Sequence, residues 1–197
     1  ARQSVCMNNL KQIGLALNMY SQDYNEFILL IYIGSPEENY SEVLLRQGRW
    51  TLYGQAGGYI TNRDVFVCPS FPPKKYTAYH KIYGVNRIST ADAPVIYFSN
   101  WSFRKLSRIK NPSNVVFIAD SYSTAYKSQF HMLQLSSGNA GVHLRHNNLA
   151  NLLFLDGHVE SCNLDGIKRA GLLGPGSIYG GTVQFDVYDQ DLKKVYP

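Results

Sequence analysis

The 197 residues suffice for one well-filled core and fall short of two. With 19 Lys and Arg against 14 Asp and Glu the formal charge is +5, and a composition 45% hydrophobic and 17% charged excludes a disordered chain. The basic residues are scattered: the densest runs, Arg104, Lys105, Arg108 and Lys110, then Lys193 and Lys194, are too small for the stripe that binds nucleic acid, so no such partner is expected.

The predicted elements begin with a long helix. Apolar residues fall at Cys6, Leu10, Ile13, Leu17, Tyr20 and Tyr24, at alternating spacings of four and three, which is one helix face. Asn8, Lys11, Gln12, Asn18, Ser21 and Gln22 fill the remainder, so residues 1–24 form an amphipathic rod about 33 Å long that must lay its stripe on something flat. Arg2-Gln3-Ser4-Val5 already reads as helix interior, and with no initiator methionine at Ala1 a segment upstream is expected to have been removed.

A buried or strand-like run over 27–33 follows, then a Gly34-Ser35-Pro36 break and a short helix over 36–46 with Ser35 as N-cap. That run is the longest apolar stretch and falls far short of the roughly 18 residues of a membrane span. Residues 48–59 read as loop, 65–67 as a strand ended by Cys68-Pro69, and 70–94 as an irregular tyrosine-rich stretch with a short strand at 81–85. Residues 114–120 carry the run Val115 to Ala119 between turn residues, a strand buried on both faces. Runs at 142–145 and 149–155 and the stretch from His158 onward predict a three-stranded antiparallel meander, with Asp156-Gly157 as a two-residue type I′ hairpin loop. The tail predicts a turn at Gly174-Pro175-Gly176, a break at Gly180-Gly181, a strand over 182–188 and an acidic turn.

The chain predicts an α+β fold, a single domain of 1–197 with a helix (1–24), an irregular αβ insertion (25–110) and an antiparallel sheet with tail (111–197), because helix on sheet buries both apolar faces.

Chemically, His143, His146, Asp156 and His158 with Asp120 are the residue types of a divalent-metal or hydrolase site. An extended run over 149–155, at about 3.3 Å per residue, separates His146 from Asp156 by about 20 Å and argues against shared coordination. Asp186, Asp189 and Asp191 could offer oxygen ligands to calcium, or form a solvated turn. No serine elbow, phosphate loop or dinucleotide fingerprint occurs, so no enzyme activity, catalytic residue or cofactor is expected beyond that calcium. The tyrosines, with Trp50, Trp101 and the loop from Tyr76 to Tyr83, could build a sugar-stacking surface, which is the alternative reading of the chain. Cys6, Cys68 and Cys162 are too few for a disulfide scaffold and lack the paired spacing of a zinc or redox motif; they permit one disulfide and one free thiol.

Three separated blocks carry a resemblance. Residues 1–17 with Tyr20 and Asp23, the block Val65-Phe66-Val67-Cys68-Pro69-Ser70, and His146 followed after nine residues by Asp156-Gly157 resemble bacterial prepilin-like proteins that bear a His, nine residues, Asp-Gly signature. The resemblance implies a non-enzymatic structural subunit: the soluble head of a type IV pilin-like or type II secretion pseudopilin-like protein. In this reading an upstream hydrophobic helix anchors it in the inner membrane, its soluble part faces the periplasm or cell surface, and other pilin-like subunits and secretion-system components are its partners. Cys6, Leu10, Ile13, Leu17 and Tyr20 would be the packing face of the helix. An extracytoplasmic location permits a disulfide, and since Cys6 and Cys68 lie inside family-like blocks the pair Cys6–Cys68 is favoured, leaving Cys162 free.

Overall fold

A computed structural model describes residues 2–32, 38–45, 58–133, 140–169, 173–175, 182–184 and 187–196. Helix α1, Arg2–Asp23, buries Cys6, Leu10, Ile13, Leu17 and Tyr20, the face set by the apolar spacing, together with Asn9, Gly14, Ala16 and Ser21. It stops where Asn25 (φ 51°) and Glu26 (φ 66°) turn left-handed and the Glu26 N–H donates to the Ser21 carbonyl at 2.7 Å. The chain then runs through β1 (Phe27–Tyr32), β2 (Glu38–Asn39), α2 (Tyr40–Leu45), a 3₁₀ turn (Arg63–Phe66), β3 (Gly84–Asn86), β4 (Ile96–Phe98) and β5 (Trp101–Lys105). Next come β6 (Val116–Ala119), β7 (Ser121–Ser123), β8 (Met132–Leu133), β9 (Ala140–His143), β10 (Ala150–Phe154), β11 (Val159–Cys162) and α3 (Leu164–Arg169). The last strands are β12 (Leu173–Pro175), β13 (Thr182–Gln184), β14 (Val187–Tyr188) and β15 (Lys194–Tyr196).

Among the described residues the strands make a five-stranded sheet, β11-β10-β6-β3-β8, two four-stranded sheets, β2-β1-β5-β4 and β15-β14-β9-β7, and the pair β12-β13. The architecture is α+β. Leu10, Ile13 and Leu17 of α1 share one apolar cluster with Phe117 of β6 and Leu153 of β10, while Val116, Leu152 and Phe154 of the same strands join Ile167 of α3 in a second. Strands β6 and β10 are therefore buried on both faces, which is why Val115 to Ala119 reads as one continuous apolar run.

Several expectations are corrected. Two of the sheets are mixed, because β3 pairs β8 and β14 pairs β9 in parallel, while β2-β1-β5-β4 is antiparallel throughout. The meander does not form: β10 pairs β11 and β6, but β9 pairs β7 and β14 in another sheet. The type I′ geometry lies elsewhere, at Asn147 (φ 53°) and Asn148 (φ 61°), where His146 and Leu149 exchange both backbone hydrogen bonds at 3.0 and 3.1 Å. At Asp156-Gly157 the loop is one residue longer. Gly157 N–H donates to the Phe154 carbonyl, Phe154 N–H donates to the His158 carbonyl, and only Gly157 (φ 92°) is left-handed, as in a type I turn closed by a glycine.

Residues 65–67 are no strand: Asn62 caps the Asp64 N–H and winds Arg63–Phe66 into the 3₁₀ turn. Helix α2 begins at Tyr40, after the strand pair β1/β2; Ser35, Pro36 and Arg46 lie outside the described residues. The strand expected at 81–85 is Gly84–Asn86. Within 25–110, β1 and β5 pair over five positions, so the stretch holds an ordered sheet. Gly174 and Pro175 lie in β12, and of the strand expected over 182–188 the described parts are β13 and β14.

Candidate functional site

Asp120 stands where one extended run passes from the five-stranded sheet (β6) into a four-stranded one (β7). Its N–H donates to the Asn151 carbonyl at 3.0 Å and its carbonyl accepts the His143 N–H at 2.9 Å, so its backbone stitches β10 to β9. Its side chain turns toward the Asn147-Asn148 loop that joins those two strands. Carboxylate Oδ2 accepts the Asn151 N–H at 2.8 Å and lies 3.3 Å from His146 Nε2; Oδ1 lies 3.6 Å from Arg145 Nε. All three side chains are buried.

The electrostatics follow from that burial. Desolvation pushes the Asp120 carboxyl up, but the Arg145 guanidinium, His146 and the Asn151 N–H outweigh it and hold the group below the usual carboxylate range. Desolvation lowers Arg145, opposed by the charge of Asp120. The guanidinium also donates to the Ser121 carbonyl and lies 4.9 Å over the ring of Phe71. His143, edge-on to Phe71 with centroids 4.6 Å apart, is driven down to about 3, chiefly by burial and then by the charge of Arg145.

The His146 ring also reaches the opening helix. Nε2 lies 3.4 Å from Cys68 Sγ, and Cys68 is bonded to Cys6 in the first turns of α1, across a sequence separation of 62. The segment carrying Cys68 is held on both sides. Asn9 Nδ2 of α1 donates to the Val67 carbonyl at 3.1 Å. Gln129 accepts the Cys68 N–H with its amide oxygen and donates to the carbonyls of Cys68, Phe71 and Pro73. That loop contains a cis bond between Pro72 and Pro73.

The structure thus brings together Cys6, Cys68, His146 and Asp120, keeps His143 beside Asp120 through its N–H, and separates Asp156 and His158 from them. Asp156 follows β10 at its far end, where Asp156 Oδ1 meets His158 Nδ1 at 2.6 Å on the exposed rim and the His158 ring stacks on Phe154 at 4.1 Å. Gly157 belongs to the helix contact: a Cβ added at Gly14 would stand 3.3 Å from the Gly157 carbonyl oxygen, and one added at Gly157 would stand 3.1 Å from Asn18 Nδ2. Each end of the His-to-Gly signature therefore touches α1, through the disulfide at one end and through Gly14 at the other. Cys162 is a buried free thiol on β11, raised to about 11 by desolvation.

Among the calcium candidates, Asp189 Oδ1 accepts the N–H groups of Asp191 and Lys193, which builds the turn before β15; Asp186 lies outside the described residues, as does Trp50. Trp101 stacks on Phe103 at 6.0 Å and Tyr76 donates to Glu42, so these aromatics are engaged within the protein. Arg104, counted in the densest basic run, is fully buried, donating to the carbonyls of Ala93 and Ile88, and adds nothing to a surface charge. No helix among the described residues is long and apolar enough to cross a membrane.

Sequence reasoning missed Gln129 and the role of Arg145. The first carries no motif; the second was legible only as the residue before His146. In comparison with known proteins, residues 1–27 match a family model described as a protein of unknown function (DUF1559), a family associated with type II secretion pseudopilin-like proteins. No curated protein and no solved structure matches the chain.

Proposed function

We propose that the chain is a non-enzymatic structural subunit, the soluble head of a membrane-anchored type IV pilin-like or type II secretion pseudopilin-like protein. In this reading the head lies outside the cytoplasm, at the periplasm or cell surface. It works with other pilin-like subunits and secretion-system components.

The observation that carries the reading is the double fastening of α1, by Cys6–Cys68 at its start and by Gly14 against Gly157 at its middle. A helix that transmits assembly forces from an upstream anchor to a head must not peel from its sheet, and these contacts oppose peeling along the first two-thirds of its length. The match of residues 1–27 falls on this helix. Val5, Leu15 and Met19 remain exposed on it, 46 to 64% of each, where neighbouring subunits could pack.

The test is cell fractionation of the protein expressed from its natural gene, with a protease site inserted just before Ala1. The reading expects recovery with the inner membrane and release of the folded head by protease added from the periplasmic side. Recovery in the cytosol, or protection from external protease, overturns it. The alternative, an extracytoplasmic carbohydrate- or ligand-binding module, draws on Tyr97 and Phe98, which are 56 and 60% exposed at the edge strand β4. Glycan-array binding lost in Tyr97→Ala and Phe98→Ala would favour it.

A further inference from the structure

We propose that reduction of the Cys6–Cys68 bond converts this buried junction into a tetrahedral site for a thiolate-preferring divalent ion of the zinc type, with Cys6 Sγ, Cys68 Sγ and His146 Nε2 as its three protein ligands and water in the fourth position. These three side-chain donors already lie within 4.8 Å of one another. His146 Nε2 lies 3.4 Å from Cys68 Sγ, with Asp120 Oδ2 beside it at 3.3 Å.

The distances fit the geometry. With zinc–sulfur bonds of about 2.3 Å and a zinc–nitrogen bond of about 2.05 Å, the S–N edge of a tetrahedron is about 3.5 Å, close to the 3.4 Å between Cys68 Sγ and His146 Nε2. The two sulfurs, bonded to each other in this structure, must separate. Once their bond is broken they repel to non-bonded contact, and the S–S edge of the same tetrahedron is about 3.8 Å.

Charge also closes. Two thiolates and the Asp120 carboxylate bring three negative charges; a divalent ion and the Arg145 guanidinium bring three positive ones, leaving a buried set that is neutral. The carboxylate beside His146 is itself held in place, with the Asn151 N–H on Asp120 Oδ2 and Arg145 beside Oδ1.

The chemistry balances as follows. A dithiol reductant gives two electrons and two protons to the S–S bond and closes its own disulfide, leaving two thiols on Cys6 and Cys68. The ion then displaces the two thiol protons into solvent. Helix α1 stays fastened in either state, by a covalent bond under oxidising conditions and through the ion under reducing ones.

The test is an anaerobic titration of the full 197-residue chain with cobalt(II), after reduction by dithiothreitol and its removal. Tetrahedral thiolate sites give cobalt intense visible bands and sulfur-to-metal charge-transfer absorption. The expected result is one cobalt per reduced chain, displaced by zinc, with no such bands from the oxidised chain. Cys162→Ser leaves binding intact, and His146→Ala weakens it at least about tenfold. If the reduced chain loses its near-ultraviolet circular dichroism, restoration of that signal by zinc supports the site. Absent bands, equal binding by the Cys6→Ser/Cys68→Ser variant, equal affinity in His146→Ala, or failure of zinc to restore a lost signal overturns it.

Discussion

The carbonyl oxygen of Gly157 lies 3.3 Å from where a Cβ on Gly14 would stand, so the hairpin loop of β10 and β11 meets the backbone of α1 with no room for a side chain. Gly157 also needs its left-handed φ of 92° to close that loop. The Asp-Gly of the signature is thereby a packing device. Gly157→Ala is expected to cost about 1–2 kcal/mol from the backbone alone. Thermal unfolding should move down by about 2–8 °C for a chain of this size. An unchanged melting temperature would count against the contact.

The disulfide makes a simple counting prediction. Denatured without reductant, the chain should show one thiol, Cys162, and with reductant three. Three thiols in both conditions would exclude the bridge. Closing a loop of this length stabilises by about 4 kcal/mol on the chain-entropy account, so Cys6→Ser should lower the denaturant midpoint accordingly.

Asp120→Asn leaves the Arg145 guanidinium buried without its counter-charge, 3.6 Å from the altered group. Loss of one partner of a buried pair typically costs about 3–5 kcal/mol, and urea denaturation would measure it. A double variant with Arg145→Met should lose less than the sum of the singles, because the stranded charge is gone. Strict additivity would show that the two groups act independently. Since the folded carboxyl of Asp120 is held below its usual range, its stabilisation is present above the unfolded carboxylate pKa and disappears as the pH falls through the folded value.

His143 adds a second acid sensitivity, in a different window. Its folded pKa is about 3 against an ordinary 6.5, so between these values the unfolded chain binds a proton that the folded one refuses. Stability is complete above pH 6.5 and declines as the pH falls toward 3. Replacing the ring by an apolar one, His143→Phe, should reduce the slope of unfolding free energy against pH in that range by up to about one proton. The expected observation is a flatter melting curve series between neutral pH and mild acid; an identical slope would show that His143 is not held neutral by its surroundings.

Much of α1 was legible because a helix face is a local property: Cys6, Leu10, Ile13, Leu17 and Tyr20 repeat at helical spacing, and all five are buried. The strand at Val116–Ala119 was legible for a similar reason, since a run of apolar residues between turn residues requires cover on both faces. Turn chemistry was only partly legible. Asp-Gly and Asn-Asn both tolerate left-handed backbone, and the pairing of Phe154 with His158, rather than the dipeptide itself, lengthened the first loop while the second took the two-residue form. The sequence by itself determined the rod, its buried stripe and the α+β composition, because each depends on side chains a few residues apart. Only the tertiary structure decided that Cys6, Cys68, Asp120, Arg145 and His146 meet. Their meeting depends on one strand leaving its sheet at Asp120, and such a change of partner is set by the packing of distant segments, which local periodicity does not encode.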